Sequence, residues 1–243
     1  MMNSKRFAQA ALIAGVAVSG SAMAELSGNL TVNNNYVWRG LTQTTNEASV
    51  SGGMDYAHES GFYAGTWISN VQYGADDNYS YEHDLYFGLS GGDTVAWDVG
   101  YLYYNYDNDT NFDFGEVYFS LGMGGLSATA YVLTNTEAAE GPGQDFGAGE
   151  ATYLSLDYGF ETANGLGISF HVGSHDGDFV EAFNGIEGYM DYNVTIAKNG
   201  FGLMVSKTDI EEDESTGSQG SPGLSNDDFK FVVSYSVDFD LNP

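Results

Sequence analysis

The chain has 243 residues, with 34 acidic side chains against 6 basic ones and a formal net charge of −28. That balance excludes nucleic-acid binding, which rests on Lys and Arg. The 18 Tyr and 15 Phe exclude an acidic disordered chain, which would be poor in aromatics. With no cysteine there is neither a disulfide framework nor thiolate chemistry, and the length suits one β domain.

In chain order, the basic stretch Asn3-Ser4-Lys5-Arg6 leads into an apolar run from Phe7 to Val18 and then an A-x-A site at Ala22-Met23-Ala24. This reads as a secretory signal cleaved after Ala24, leaving 25–243 as the folded domain. The apolar run is too short to cross a bilayer as a helix.

From Glu25 onward the dominant period is two, the mark of strands with one apolar face. Leu26, Leu30, Val32, Tyr36 and Trp38 share one parity. Leu154, Leu156, Tyr158 and Phe160 repeat the pattern, and so do Phe229, Phe231, Val233, Tyr235, Val237 and Phe239. The runs lie near 26–38, 47–57, 61–71, 82–91, 94–105, 113–122, 125–135, 150–160, 165–175, 188–198, 200–208 and 228–239. Two are ambiguous: 61–71 carries aromatics on both parities, and 125–135 is weakly apolar.

The connections alternate. Those at 57–60, 92–93, 123–124, 161–164 and 199 are tight, and between them fall long ones at 39–46, 72–81, 106–112, 136–149, 176–187 and 209–227. Short turns alternating with long loops are the layout of an outer-membrane barrel with both termini in the periplasm. A Greek-key sandwich has no reason to follow it. The expected fold is therefore all-β: a transmembrane, antiparallel, up-and-down β-barrel of about twelve strands.

Charge agrees with that layout. Most acids fall in or beside the long loops, while Asp55, Asp84, Asp98, Glu116, Asp157, Asp191 and Asp238 occupy the polar parity of strands and are assigned to the lumen. Tyr36 with Trp38, Tyr101 with Tyr103, Tyr56 and Phe239 near strand ends read as interfacial girdles. Small lumen-parity residues (Ser49, Ser51, Gly53, Gly100, Ser155, Ser169, Gly173, Ser234, Ser236) leave room for water. Arg39 is the one arginine left after processing and is placed at the external end of the first strand, with Glu47 across from it. Closure would bring Lys230, at the external start of the last strand, to the same wall.

Motifs for other chemistry fail on detail. Asp107-x-Asp109-x-Asn111-x-Asp113 starts like a calcium loop, but its sixth position is Phe112 and its twelfth Tyr118 rather than Gly and Glu. His171 and His175 would lie some 13 Å apart along a strand, too far to share a zinc ion. Ser169, His171 and Asn193 come without a nucleophile elbow. No catalytic residue, metal site or cofactor is expected.

The stretch Asn35-Tyr-Val-Trp-Arg-Gly-Leu-Thr-Gln, then Gly52-Gly-Met-Asp-Tyr-Ala-His-Glu-Ser-Gly-Phe-Tyr-Ala-Gly-Thr-Trp-Ile-Ser-Asn and Glu82-His-Asp-Leu-Tyr-Phe-Gly, resembles the TorF family of proteobacterial porin-like proteins. The likeness is specific over residues 25–92 and topological beyond them. It implies an outer-membrane barrel more firmly than transport of a given solute.

The expected function is a narrow diffusion channel for small solutes that favours cations. Its lumen residues would be Arg39, Glu47, Asp55, Asp84, Asp98, Glu116, Asp157, His171, Asp191, Lys230 and Asp238. Expected partners are outer-membrane lipid, small solutes or cations, and the barrel-assembly machinery during biogenesis. The competing reading is a plugged structural or adhesive barrel acting through its acidic loops, which a lumen full of large side chains would favour. A barrel enzyme such as a lipase is a third.

Overall fold

A computed structural model describes residues 25–74, 79–107, 112–211 and 228–242. The leader and positions Asp109 and Asn111 of the calcium-like motif lie outside the described residues.

The strands are β1 (Glu25–Asn33), β2 (Val37–Trp38), β3 (Leu41–Thr42), β4 (Ser49–Ala57), β5 (Phe62–Asn70), β6 (Tyr81–Gly91), β7 (Ala96–Tyr106), β8 (Phe114–Met123), β9 (Leu126–Thr136), β10 (Ala151–Glu161), β11 (Gly167–Gly177), β12 (Gly188–Lys198), β13 (Phe201–Thr208) and β14 (Lys230–Asp240). Among the described residues a single short helix, α1 (Asp178–Asn184), follows β11. All but β2 and β3 close one antiparallel barrel of twelve strands, in which β1 pairs with both β4 and β14. Closure satisfies every ladder and leaves no edge, the condition for strands that meet lipid.

The period-two pattern produces two faces. Leu154, Val233, Phe231 and Val50 point outward, each more than half exposed, within an apolar outer belt. The seven strand acids take the opposite parity, and Asp84, Asp98, Glu116 and Asp191 are buried. In β9 the alternation is broken: opposite Gly115 and Glu116 stand Asn135 and Leu133, so Thr134 is an extra residue. The bulge turns Asn135 outward, whereas Leu133 keeps the inward parity of Tyr131 and is 1% exposed.

Two expectations about the lumen need correction. Gly100 and Gly173 do not leave room for water, because a Cβ there would collide with the hydroxyls of Tyr118 and Tyr153. Gly88 and Gly65 do the same for Tyr63 and Tyr86. Each glycine is the floor on which a neighbouring strand's tyrosine lies, so missing side-chain volume is filled by a ring. The second correction concerns the girdle: Tyr36 is 5% exposed and Trp38 packs against the interior cluster, so neither faces lipid.

The buried core therefore sits inside the barrel, toward the long-loop end. Leu102, Tyr104, Tyr118 and Leu133 from the wall meet Tyr36 and Leu41 from the first long connection and Phe179 and Val180 from α1. The opposite half keeps a polar, partly exposed lining, with Thr31 hydrogen-bonded to Ser236 at 2.8 Å and Thr129 to Ser120 at 3.0 Å.

Candidate functional site: a hairpin across the lumen

The sequence pattern continues the first strand to Trp38, but β1 ends at Asn33 and the chain turns into the barrel. Asn34 makes the exit possible. Its side chain accepts from Val233 N–H at 2.6 Å and donates to Phe231 C=O at 3.0 Å, replacing the backbone that β14 has lost. Asn70 does the same for β4, accepting from Val50 N–H at 2.8 Å and donating to Ala48 C=O at 3.2 Å. Two amide side chains thus satisfy wall groups that would otherwise be orphaned in an apolar setting.

Inside, β2 and β3 form a two-residue hairpin whose turn residues are Arg39, φ 46°, and Gly40, φ 79°. Two positive φ values mark a type I′ turn, the kind that matches strand twist. Gly40 is required twice over, since a Cβ would lie 2.6 Å from both Asp191 and Thr208 on the barrel wall. Arg39 has no such freedom, and a non-glycine side chain in this region costs about 1–2 kcal/mol.

That strain is offset by what Arg39 reaches. Its guanidinium donates to Glu116 Oε1 at 2.9 Å and Oε2 at 2.6 Å, and Nη1 lies 3.0 Å from His175 Nε2. It also sits 4.3 Å from the Trp38 ring, 4.3 Å from Tyr153 and 5.0 Å from Tyr131. Burial disfavours the charge, but Glu116 outweighs it and holds the group above its ordinary pKa, so Arg39 stays cationic. Glu116 lies beside the β9 bulge, a device that re-aims side chains next to functional sites.

Topology gives this contact its meaning. The hairpin leaves from β1, and β9 stands six strands away around the ring in either direction. Arg39 therefore crosses the full lumen to meet β8, β9, β10 and β11. The expected neighbours are corrected accordingly: Arg39 pairs with Glu116 rather than Glu47, whose N–H bonds Thr44 C=O at 2.8 Å. Lys230 is buried at the start of β14, opposite Ser206, on the other side of the barrel from that pair.

Polar side chains fix the rest of the hairpin. Thr42 donates to Asn35 Oδ1 at 2.6 Å and Tyr36 to Glu82 Oε1 at 2.8 Å, and one backbone bond, Gln72 N–H to Gln43 C=O at 2.8 Å, adds to them. Glu82, which also accepts from Tyr106 at 2.8 Å, escapes sequence reasoning because it lies at a strand end beside a long loop.

The remaining lumen acids fall into separate sets. Asp98 accepts from Tyr63 at 2.5 Å, and Asp55 accepts from Tyr86 at 2.5 Å. His171 stands between Asp157, 2.7 Å from Nδ1, and Asp191, 3.1 Å from Nε2, with Tyr153 also bonded to Asp191 at 2.9 Å. Asp84 is fully buried, and among the described residues neither of its carboxylate oxygens has a hydrogen-bond partner. Asp238 lies exposed near the end of β14.

The KdgM porin structure superposes with a TM-score of 0.53 at 7% identity, covering 89% of this chain and 99% of that one. The NanC porin in a rhombohedral crystal form gives 0.53 at 8% identity, with 89% and 100% coverage. At such identities the likeness is one of fold. No curated protein matches. Residues 17–237 match the family described as "Bacterial protein of unknown function (Gcw_chp)", and the chain belongs to that family.

Proposed function

We propose that this protein is a porin-like channel of the Gram-negative outer membrane, for passive diffusion of small solutes, closed at the Arg39 hairpin. One observation carries the reading: a polar, partly exposed lumen is crossed by a loop segment held mainly through side chains, not by the wall ladder. A blockage of that kind is removable without opening the barrel. The fold likeness to porins and the resemblance of residues 25–92 to TorF porin-like proteins support the same class. The lumen reading carries no catalytic role and no enzyme activity.

Cation preference is part of the proposal. Asp55, Asp98, Asp157, Asp191 and Asp238 line the wall, Arg39 is neutralised by Glu116, and the loops are acidic. A narrow tube lined by one sign of charge concentrates counter-ions.

A second reading, a permanently plugged structural barrel, is favoured by one specific observation. Tyr118, Leu102 and Leu133 fill the external half from the wall itself. Planar-bilayer recordings under a potassium chloride gradient decide between the two. The intact protein should open rarely, and a variant with Val37–Thr42 replaced by a Gly-Ser linker should conduct steadily. Its reversal potential should favour potassium, less so at 1 M salt, where screening acts within about 3 Å. Silence from both proteins rejects the channel and leaves the plugged barrel.

A further inference from the structure

Above the hairpin, at the long-loop mouth, lies a cavity of about 510 Å³ including its open side. Its floor is Trp38 and Leu41 of the hairpin, and its walls include Phe112, Phe114, Phe179 and Phe183. The aromatic rings meet edge-on or tilted: Phe112 and Phe183 at 4.6 Å, Phe179 and Phe183 at 4.6 Å, Phe114 and Phe179 at 5.2 Å. Such a nest presents both ring faces and ring edges to whatever occupies it.

The polar groups narrow the chemistry. His175 is committed on both nitrogens, to Arg39 at 3.0 Å and to Tyr189 at 3.2 Å. Gln43 and Asn184 each spend one N–H, on Leu41 C=O and Val180 C=O, both at 3.2 Å, which leaves each amide its oxygen as an acceptor and its second N–H as a donor. Tyr106 already donates to Glu82 at 2.8 Å, so the cavity offers mainly aromatic surface with two amide groups, a sparse polar set for a sugar's ring of hydroxyls. The lining helix α1 carries Asp178 and Glu181 in its first turn, and the nearest guanidinium is already paired with Glu116. Anions are disfavoured there.

We propose that this cavity binds a single-ring aromatic solute, neutral or cationic, that carries a hydroxyl or ammonium donor. Small-molecule sites have this make-up, a mostly apolar concavity with a few placed polar groups. Because Trp38 and Leu41 form its floor, an occupant touches the plug directly. A role in admitting solute rests on the channel reading; binding itself does not.

The test is ligand binding, not conductance, so the two readings fail separately. The full chain, folded in detergent and checked for heat-modifiable migration, is titrated with tyramine, phenol, 4-hydroxybenzoate and glucose. Calorimetry gives affinities and saturation-transfer NMR locates contact. Tyramine and phenol should bind, with 4-hydroxybenzoate weaker at low salt and closer to them at 1 M. Asn184→Trp, which fills the mouth, should weaken tyramine by about tenfold, and Phe183→Ala by several fold, since one ring contact is worth about 0.5–1.5 kcal/mol. Both positions lie on α1, outside the barrel wall. Glucose binding as tightly as tyramine, or tyramine unaffected by both substitutions as in simple detergent partitioning, overturns the proposal.

Discussion

Arg39 Nη2 and Glu116 Oε2 stand 2.6 Å apart, although 77 residues separate them along the chain. One belongs to a turn leaving β1 and the other to the far wall, so this contact ties the hairpin across the lumen. Both side chains are 5% exposed, and in that setting the cost of breaking a pair exceeds the gain of having formed it.

Glu116→Ala strands a buried guanidinium. The docked hairpin should lose about 3–5 kcal/mol, the usual cost of an uncompensated buried charge. The chain has no cysteine, so Leu41→Cys, at a position 2% exposed, reports on the hairpin. A membrane-impermeant maleimide should leave Leu41→Cys unlabelled in an otherwise intact chain and label it in the Glu116→Ala background. Equal labelling in both means that the pair does not hold the hairpin.

The tyrosine-on-glycine packing makes a second prediction. In Gly173→Ala the new methyl must displace Tyr153, which bonds Asp191 at 2.9 Å. Overpacking of this kind costs about 1–3 kcal/mol, so the temperature at which the folded gel band disappears should fall. Gly159→Ala is the control, because its Cβ would meet Ser169 at an ordinary 3.7 Å. Equal effects at Gly173 and Gly159 reject the packing.

Strand number, the alternation of turns and loops, and the outward face were legible because each is a local pattern. Val233 and Leu154 keep their parity whatever the rest of the chain does. The hairpin was not legible. Tyr36 and Trp38 continue the parity of Leu30 and Val32, and only Asn34, followed by a non-glycine turn residue at Arg39, marks where the wall is left. Its partner could not be found by reading along the chain, since Glu116 lies across the ring. Gly100 and Gly173 were misread for a similar reason: a glycine shows missing volume, and what fills it comes from another strand.

The two faces of β14 give a third prediction. Val233 points outward, 56% exposed, while Ser236 points inward and bonds Thr31 at 2.8 Å. Val233→Arg should place a charge against hydrocarbon at a cost of about 2–4 kcal/mol near the midplane and reduce the yield of heat-modifiable protein. Ser236→Arg enters the polar half of the lumen and should assemble. Matching yields would mean that Val233 does not contact lipid.

The last prediction concerns acid. Asp107 accepts from Ser80 N–H at 2.9 Å, from Tyr81 N–H at 3.3 Å and from the Ser80 hydroxyl. Slight burial works to raise its pKa, but these donors, the Ser80 hydroxyl first, hold the carboxyl below its ordinary value of 3.8. A carboxylate whose pKa is depressed by folding contributes its full stabilisation above the unfolded value and loses it as pH falls through the folded one. The anchor should therefore persist at pH 5 and fail only below pH 3.8. Ser80 C=O accepts from Val71 N–H at 3.1 Å, and the next residue, Gln72, bonds the hairpin at Gln43. Loss of the Asp107 anchor thus loosens a segment that helps seat the plug. Carbonyl-carbon NMR of Asp107 should show an inflection below 3.8, and Asp107→Asn at neutral pH should speed amide exchange at Ser80 and Tyr81. An inflection at or above 3.8, or unchanged exchange in the variant, would show that these donors do not hold the loop.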